Sequence, residues 1–67
     1  MNSIAERIKE IRIENKLNQF EFGKKIFVSQ DTVSLWETGK SIPTTETLIM
    51  LCKVYKVSAD YILALEE

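Results

Sequence analysis

The sequence predicts an all-α fold, a compact arrangement of five short helices, and three observations predict it. Residues with short side-chain oxygens (Ser3, Asn18, Ser29, Thr44 and Ser58) stand just ahead of segments whose apolar residues recur at helical spacing. Such a residue opens a helix because its oxygen accepts from the otherwise unpaired amides of the first turn. No stretch shows the sustained alternation that a half-buried strand needs. Finally, 67 residues that are 45% hydrophobic suit one small helical core, in a size class that typically buries only about 60% of its chain surface. Residues 1–67 are therefore expected to form a single domain.

The first helix is expected near residues 3–15, where Ser3 has Glu6 three places on and Ile4, Ile8 and Ile11 form an i, i+4, i+7 stripe. The second, near 18–26, opens with Asn18 and Glu21 at the spacing of a capping box. Leu17 and Phe22 flank that cap as a hydrophobic staple, and Val28 with Val33 do the same for Ser29 at the head of the third helix, near 29–37. These two caps lie eleven residues apart, room for about two turns of helix and a turn of a few residues. Trp36 follows Val33 by three and is assigned to the core. Pro43-Thr44 precedes the fourth helix, near 44–56, with Leu48, Leu51, Cys52 and Tyr55 on one face. There the lone cysteine is read as a small buried hydrophobe. Val57-Ser58 precedes the fifth helix, near 58–65, with Ile62 four residues after its cap.

Helices two and three lay out a helix-turn-helix, and the polar outer face of the third makes double-stranded DNA the leading candidate ligand. Other classes of function find little support. The chain has no histidine, and Gly23 and Gly39 are its only glycines, so neither a metal-ligand cluster nor a glycine-rich phosphate loop is present. No metal or cofactor is expected. The ten carboxylates stand in no apolar neighbourhood that would tune an acid–base pair, and so small a chain would struggle to wall off a pocket. Enzymatic activity is not expected. The longest apolar runs, Leu48 to Cys52 and Tyr61 to Leu65, fall far short of the ~20 residues that span a bilayer. Glu6 and Glu10 sit where a signal peptide needs an apolar core. A cytoplasmic protein is expected.

Leu17-Asn18-Gln19, the spacing to Val28-Ser29, then Val33, Trp36-Glu37, Gly39-Lys40, Pro43, Thr47-Leu48 and the closing Val57-Ser58-Ala59-Asp60-Tyr61-Ile62-Leu63 are in the register of one family. In these residues the chain resembles the Cro and lambdoid phage-repressor family, also called the xenobiotic-response-element family, over about residues 3–64. The resemblance implies a lambda-repressor-like DNA-binding domain, a transcriptional repressor that inserts residues 29–38 into the major groove as a homodimer on a palindrome. It implies base reading by Gln30, Asp31, Ser34 and Leu35. A glutamine pairs bidentately with adenine, an aspartate accepts from cytosine N4, and an apolar side chain meets a thymine methyl. It further implies backbone contacts from Arg12, Asn18, Gln19, Ser29, Thr32, Thr38, Gly39 and Lys40, which set register without reading sequence. Arg12 and Glu37 match a family ion pair tying helix one to the end of helix three. Dimer contacts are expected around Ile42, Tyr61, Leu63 and Leu65, although the last three suit the core equally well. The alternative function is an antitoxin-like protein-interaction module on the same fold.

Two departures from the family pattern carry structural expectations. Gly23 stands where the family usually has alanine, and a smaller residue there lets helix three approach closely. Phe27 stands at the turn where the family usually has glycine, the residue suited to positive φ, so the turn is expected to differ in detail. Charge is the main argument against DNA: nine basic and ten acidic residues give net −1, whereas DNA-binding domains are usually basic. Residues 1–40 hold seven basic and six acidic residues and residues 41–67 hold two and four, so the signs partly segregate. Low nonspecific affinity and a shallow salt dependence follow. Lys24 and Lys25 are read as ordinary surface charges.

Overall fold

A helix starts where a side chain can satisfy its first amides, and all five expected caps do so. The computed structural model describes residues 3–65, in which five helices follow one another: α1 (Ile4–Glu14), α2 (Gln19–Lys24), α3 (Gln30–Glu37), α4 (Thr45–Tyr55) and α5 (Ala59–Ile62). Ser3, Asn18, Ser29, Thr44 and Ser58 accept from the amides of Glu6, Glu21, Thr32, Thr47 and Tyr61. The capping box of α2 is complete. Glu21 N donates to Asn18 Oδ1 at 2.7 Å and Asn18 N to Glu21 Oε1 at 2.9 Å.

Helix ends follow a second rule that the sequence did not reveal. After each helix one residue enters the left-handed region: Lys16, Phe27, Gly39, Lys56 and Ala64, with φ of 59°, 64°, 80°, 58° and 59°. The next amide then reaches back five residues, from Leu17 to Arg12 O, Val28 to Gly23 O, Lys40 to Leu35 O, Val57 to Cys52 O and Leu65 to Asp60 O. This six-to-one bond is the mark of a Schellman ending, which satisfies carbonyls the helix leaves unpaired. It corrects two expected boundaries. Helix α2 closes at Lys24 rather than near 26, because Ile26 N and Val28 N both turn to Gly23 O at 3.0 Å. Helix α5 closes at Ile62 rather than near 65, because Ala64 has already left the helical region.

The core gathers Ile8, Ile11, Phe22, Ile26, Val33, Trp36, Leu51, Tyr55 and Ile62. Trp36 lies inside, as its spacing from Val33 predicts. On α4 the innermost residues are Leu51 and Tyr55, while Leu48 and Cys52 are half-buried against the core. Tyr55 stacks on Phe22 with ring centroids 4.6 Å apart, and its hydroxyl donates to the Phe22 carbonyl at 2.9 Å. That carbonyl belongs to the last turn of α2, where intrahelical partners run out. Burial pushes the Tyr55 hydroxyl pKa up to about 12.

Helix α5 is fastened to α1 through Tyr61. Arg7 Nη1 donates to the Tyr61 carbonyl at 2.8 Å and its guanidinium lies 4.4 Å from the ring centroid. The Tyr61 hydroxyl donates to Glu10 Oε1 at 2.5 Å, which raises its pKa, with burial adding to the shift. No helix among the described residues is long and apolar enough to cross a membrane.

Candidate nucleic-acid interface

The α2–turn–α3 unit is set by what stands at positions 23 and 27. A Cβ on Gly23 would lie 2.6 Å from the Val28 carbonyl oxygen, 3.0 Å from Val33 Cγ2 and 3.3 Å from the Ser29 carbonyl oxygen. The missing side chain is therefore what lets the start of α3 close onto α2. Phe27 overturns the expectation for the turn. It adopts φ 64° although it is not glycine, so the left-handed turn is retained at a strain of about 1–2 kcal/mol.

With Val33 and Trp36 buried, α3 turns Gln30, Asp31 and Leu35 to solvent, with Ser34 and Thr32 half-buried beside them. Leu35 is 43% exposed, an apolar group within an otherwise polar face. Ser29 Oγ lies 3.0 Å from Thr32 Oγ1, so both hydroxyls serve the N-terminus of α3. At the other end, Thr38 Oγ1 donates to the carbonyls of Ser34 and Leu35 at 2.9 and 3.2 Å. Gly39 at φ 80° then carries the chain to the exposed Lys40.

A partly buried polar bracket joins α1, α2 and α3. Arg12 Nε and Nη2 donate to Glu37 Oε2 and Oε1 at 2.7 and 3.0 Å, a bidentate pair. Arg12 Nη1 donates to the Leu17 carbonyl at 3.1 Å, and Gln19 Nε2 donates to Glu37 Oε1 at 3.1 Å. The Glu37 side chain is only 5% exposed and that of Arg12 16%. Its hydrogen bond to the Glu37 carboxylate raises the Arg12 pKa further, outweighing the opposing effect of burial. Arg12 thus directs its guanidinium at Glu37 and Leu17, and the backbone-contact role expected of it competes with that engagement. Gln19, whose expected role is a phosphate contact, is held at the carboxylate that also binds Arg12. The Arg12–Glu37 pair follows from the family resemblance; the Gln19–Glu37 bond had no sequence signal, because its partners lie 18 residues apart.

The remaining expected contacts are dispersed. Asn18 is exposed with its side chain engaged in the α2 cap. Ile42 and Leu65 are 64% and 65% exposed, Leu63 is half-buried, and Tyr61 is engaged with α1. Among the described residues no group of three or more His, Cys, Asp or Glu could hold a metal ion.

Two short helices packed across a left-handed turn, one with a buried stripe and an exposed polar face, define the helix-turn-helix class. The chain belongs to the helix-turn-helix family, whose pattern matches residues 8–62. It is 32% identical over 62 residues to the HTH-type transcriptional activator BcrR of Enterococcus faecalis, covering 92% of this chain and 30% of BcrR. It is 37% identical over 60 residues to repressor protein C2 of Salmonella phage P22, covering 90% of this chain and 28% of C2. The chain therefore spans less than a third of either relative. It also matches the crystal structure of the P22 c2 repressor in complex with a synthetic operator, with TM-score 0.91 at 33% identity over 98% of this chain and 100% of that one. The resemblance to phage repressors and the five-helix fold read from the sequence both stand.

Proposed function

We propose that this chain binds double-stranded DNA as a sequence-specific transcriptional regulator, a repressor acting as a homodimer with α3 in the major groove. The observation that carries this reading is the outer face of α3, where Gln30, Asp31 and Leu35 are exposed beside Ser34 while Val33 and Trp36 anchor the helix from behind. Likeness to an operator-bound repressor along nearly the whole chain supports it. In this reading Gln30, Asp31, Ser34 and Leu35 meet base edges. Asn18, Gln19, Ser29, Thr32, Thr38, Gly39 and Lys40 meet the sugar-phosphate backbone. A module that only binds protein would more naturally put aromatic or aliphatic anchors on α3, and that helix carries a single exposed Leu35.

The homodimer follows from reach. One short recognition helix covers a few base pairs, and a chain of net −1 has little nonspecific affinity to add. Two copies on half-sites ~34 Å apart supply the missing contacts, with Ile42, Leu63 and Leu65 available between them. The test is selection of a preferred duplex from random sequence, followed by anisotropy titration at several salt concentrations. Gln30→Ala should cost about 1–3 kcal/mol on the preferred site and relax selectivity there, whereas Lys40→Ala should weaken all sequences alike and lower the salt slope by about one. No preferred sequence, or one chain per full-affinity site by light scattering, would overturn the respective part of the reading.

A further inference from the structure

Charge is distributed along this chain in a way that DNA binding alone does not require. Residues 26–39, a run that contains the whole of α3, hold no lysine or arginine, whereas Lys25 and Lys40 stand directly outside it. The two acids within the run differ in kind. Glu37 is held by Arg12 and Gln19, and its side chain is nearly inaccessible to water. Asp31 is exposed, and among the described residues its carboxylate has no hydrogen-bond or ion-pair partner. It is the one unpaired charge that α3 carries, and it is negative. As the second residue of α3 it suits the positive end of the helix dipole, a service that asks nothing of the outer face. Its neighbours on that face are neutral: Gln30 beside it, Ser34 three residues on and Leu35 four residues on. Gln30 and Ser34 can turn either a donor or an acceptor outward, Leu35 neither, and Asp31 an acceptor only.

We propose that Asp31 gives this chain its selectivity by exclusion: its carboxylate admits a cytosine and holds α3 off other base edges and off nonspecific DNA. With α3 in the major groove, the reading on which this rests, guanine shows two acceptors and thymine an acceptor beside a methyl. Adenine shows a donor next to an acceptor, and cytosine N4 alone offers a donor with no acceptor of its own. Against any other base the carboxylate loses its water without a replacement, close to atoms of the same sign. An unpaired charge buried at an interface is costly. No cation on α3 offsets the repulsion. Selectivity then comes from weakening the wrong complexes as much as from strengthening the right one. Gln30 cannot impose this, because its amide can turn over to suit either kind of edge.

The test selects a preferred duplex from random sequence, then titrates that duplex and a scrambled one of equal length, followed by anisotropy. The native chain is compared with Asp31→Asn, which keeps the shape and removes the charge, and with Asp31→Glu, which keeps the charge. Asp31→Asn should bind the scrambled duplex at least about threefold tighter than the native chain, and its preference for the selected site should fall about tenfold or more. Asp31→Glu should bind scrambled DNA as weakly as the native chain does. Each half-site should hold one C·G pair whose replacement by any other pair costs the native chain about tenfold or more and Asp31→Asn about threefold or less. Unchanged binding of Asp31→Asn to scrambled DNA would overturn the proposal. So would an equal loss on both duplexes, which would reduce Asp31 to a support for the start of α3. A selected site without such a C·G pair would overturn it too, a readout on the native chain that needs no variant to fold. A native chain that selects no sequence would overturn the DNA reading itself, whereas the other failures leave that reading standing.

Discussion

At the turn between α2 and α3, two neighbouring positions carry opposite demands. Position 23 has no room for a Cβ, because the nearest atom is a backbone carbonyl that cannot rotate away. Position 27 has abundant room and an unfavourable dihedral. Opposite outcomes follow. Gly23→Ala should destabilise the fold by about 1–3 kcal/mol, the cost of overpacking, by forcing α3 off α2. Phe27→Gly should stabilise it by about 1 kcal/mol, the strain released less the added freedom of the unfolded chain. Thermal unfolding followed by circular dichroism checks both, and a common sign for the two shifts would refute the assignment. Only half of this was legible beforehand. A small residue at 23 signals close approach, but nothing local says that a phenylalanine will accept the conformation glycine prefers; the five-residue return of Val28 N to Gly23 O does.

Between elements, the partly buried bracket around Glu37 links α1, α2 and α3. Three donors from Arg12 and Gln19 converge on one carboxylate that is nearly inaccessible to water. Removing the carboxylate strands a partly buried guanidinium. Glu37→Ala should therefore cost about 2–3 kcal/mol, somewhat less than for a fully buried pair because the Arg12 side chain remains 16% exposed. Replacing both partners with methionine should recover most of that loss, since the penalty lies in the unpaired charge more than in the missing attraction. Denaturant midpoints of Arg12→Met, Glu37→Met and the double variant, which share the same substitutions, form the cycle that measures it. Additive losses would show that the pair is not energetically coupled. Gln19 provides a second readout. Without Glu37 its amide is no longer oriented, and under the backbone contact proposed for Gln19 the DNA affinity should fall for every sequence by a similar factor.

Across the whole molecule, pH dependence is governed by tyrosine at the alkaline end, since the chain has no histidine to titrate near neutrality. The Tyr55 hydroxyl has an ordinary pKa near 10 and is raised to about 12 by burial in the fold. A raised folded-state pKa means that the folded form holds the proton more tightly. Its contribution is complete below pH 10 and is lost as pH rises from about 10 towards 12. Tyr61 shifts in the same direction through its bond to Glu10. The urea midpoint should therefore stay level through neutral pH and fall steeply above about pH 10. Tyr55→Phe should start lower, having lost the bond to the Phe22 carbonyl, yet fall less over that range. Parallel declines in the two proteins would place the alkaline sensitivity elsewhere.

The starts of the five helices and the buried pairs Ile8 with Ile11, Val33 with Trp36 and Leu51 with Tyr55 were determined by the sequence alone, and the reason is range. A capping oxygen reaches an amide two or three residues away, and a stripe such as Ile8 and Ile11 or Val33 and Trp36 repeats within a turn, so both are written locally. The exposed face of α3 was legible for the same reason, as the complement of its buried stripe. Helix ends were not, because four of the five left-handed residues, Lys16, Phe27, Lys56 and Ala64, lack the glycine that would announce them. Nor were the bonds that assemble the site and lock the last helix. Gln19 to Glu37, Tyr55 to Phe22 and Arg7 to Tyr61 span 18, 33 and 54 residues. Such pairs leave no periodic or adjacent pattern, and a side chain acquires its partner only when packing of the core brings distant segments within hydrogen-bond reach.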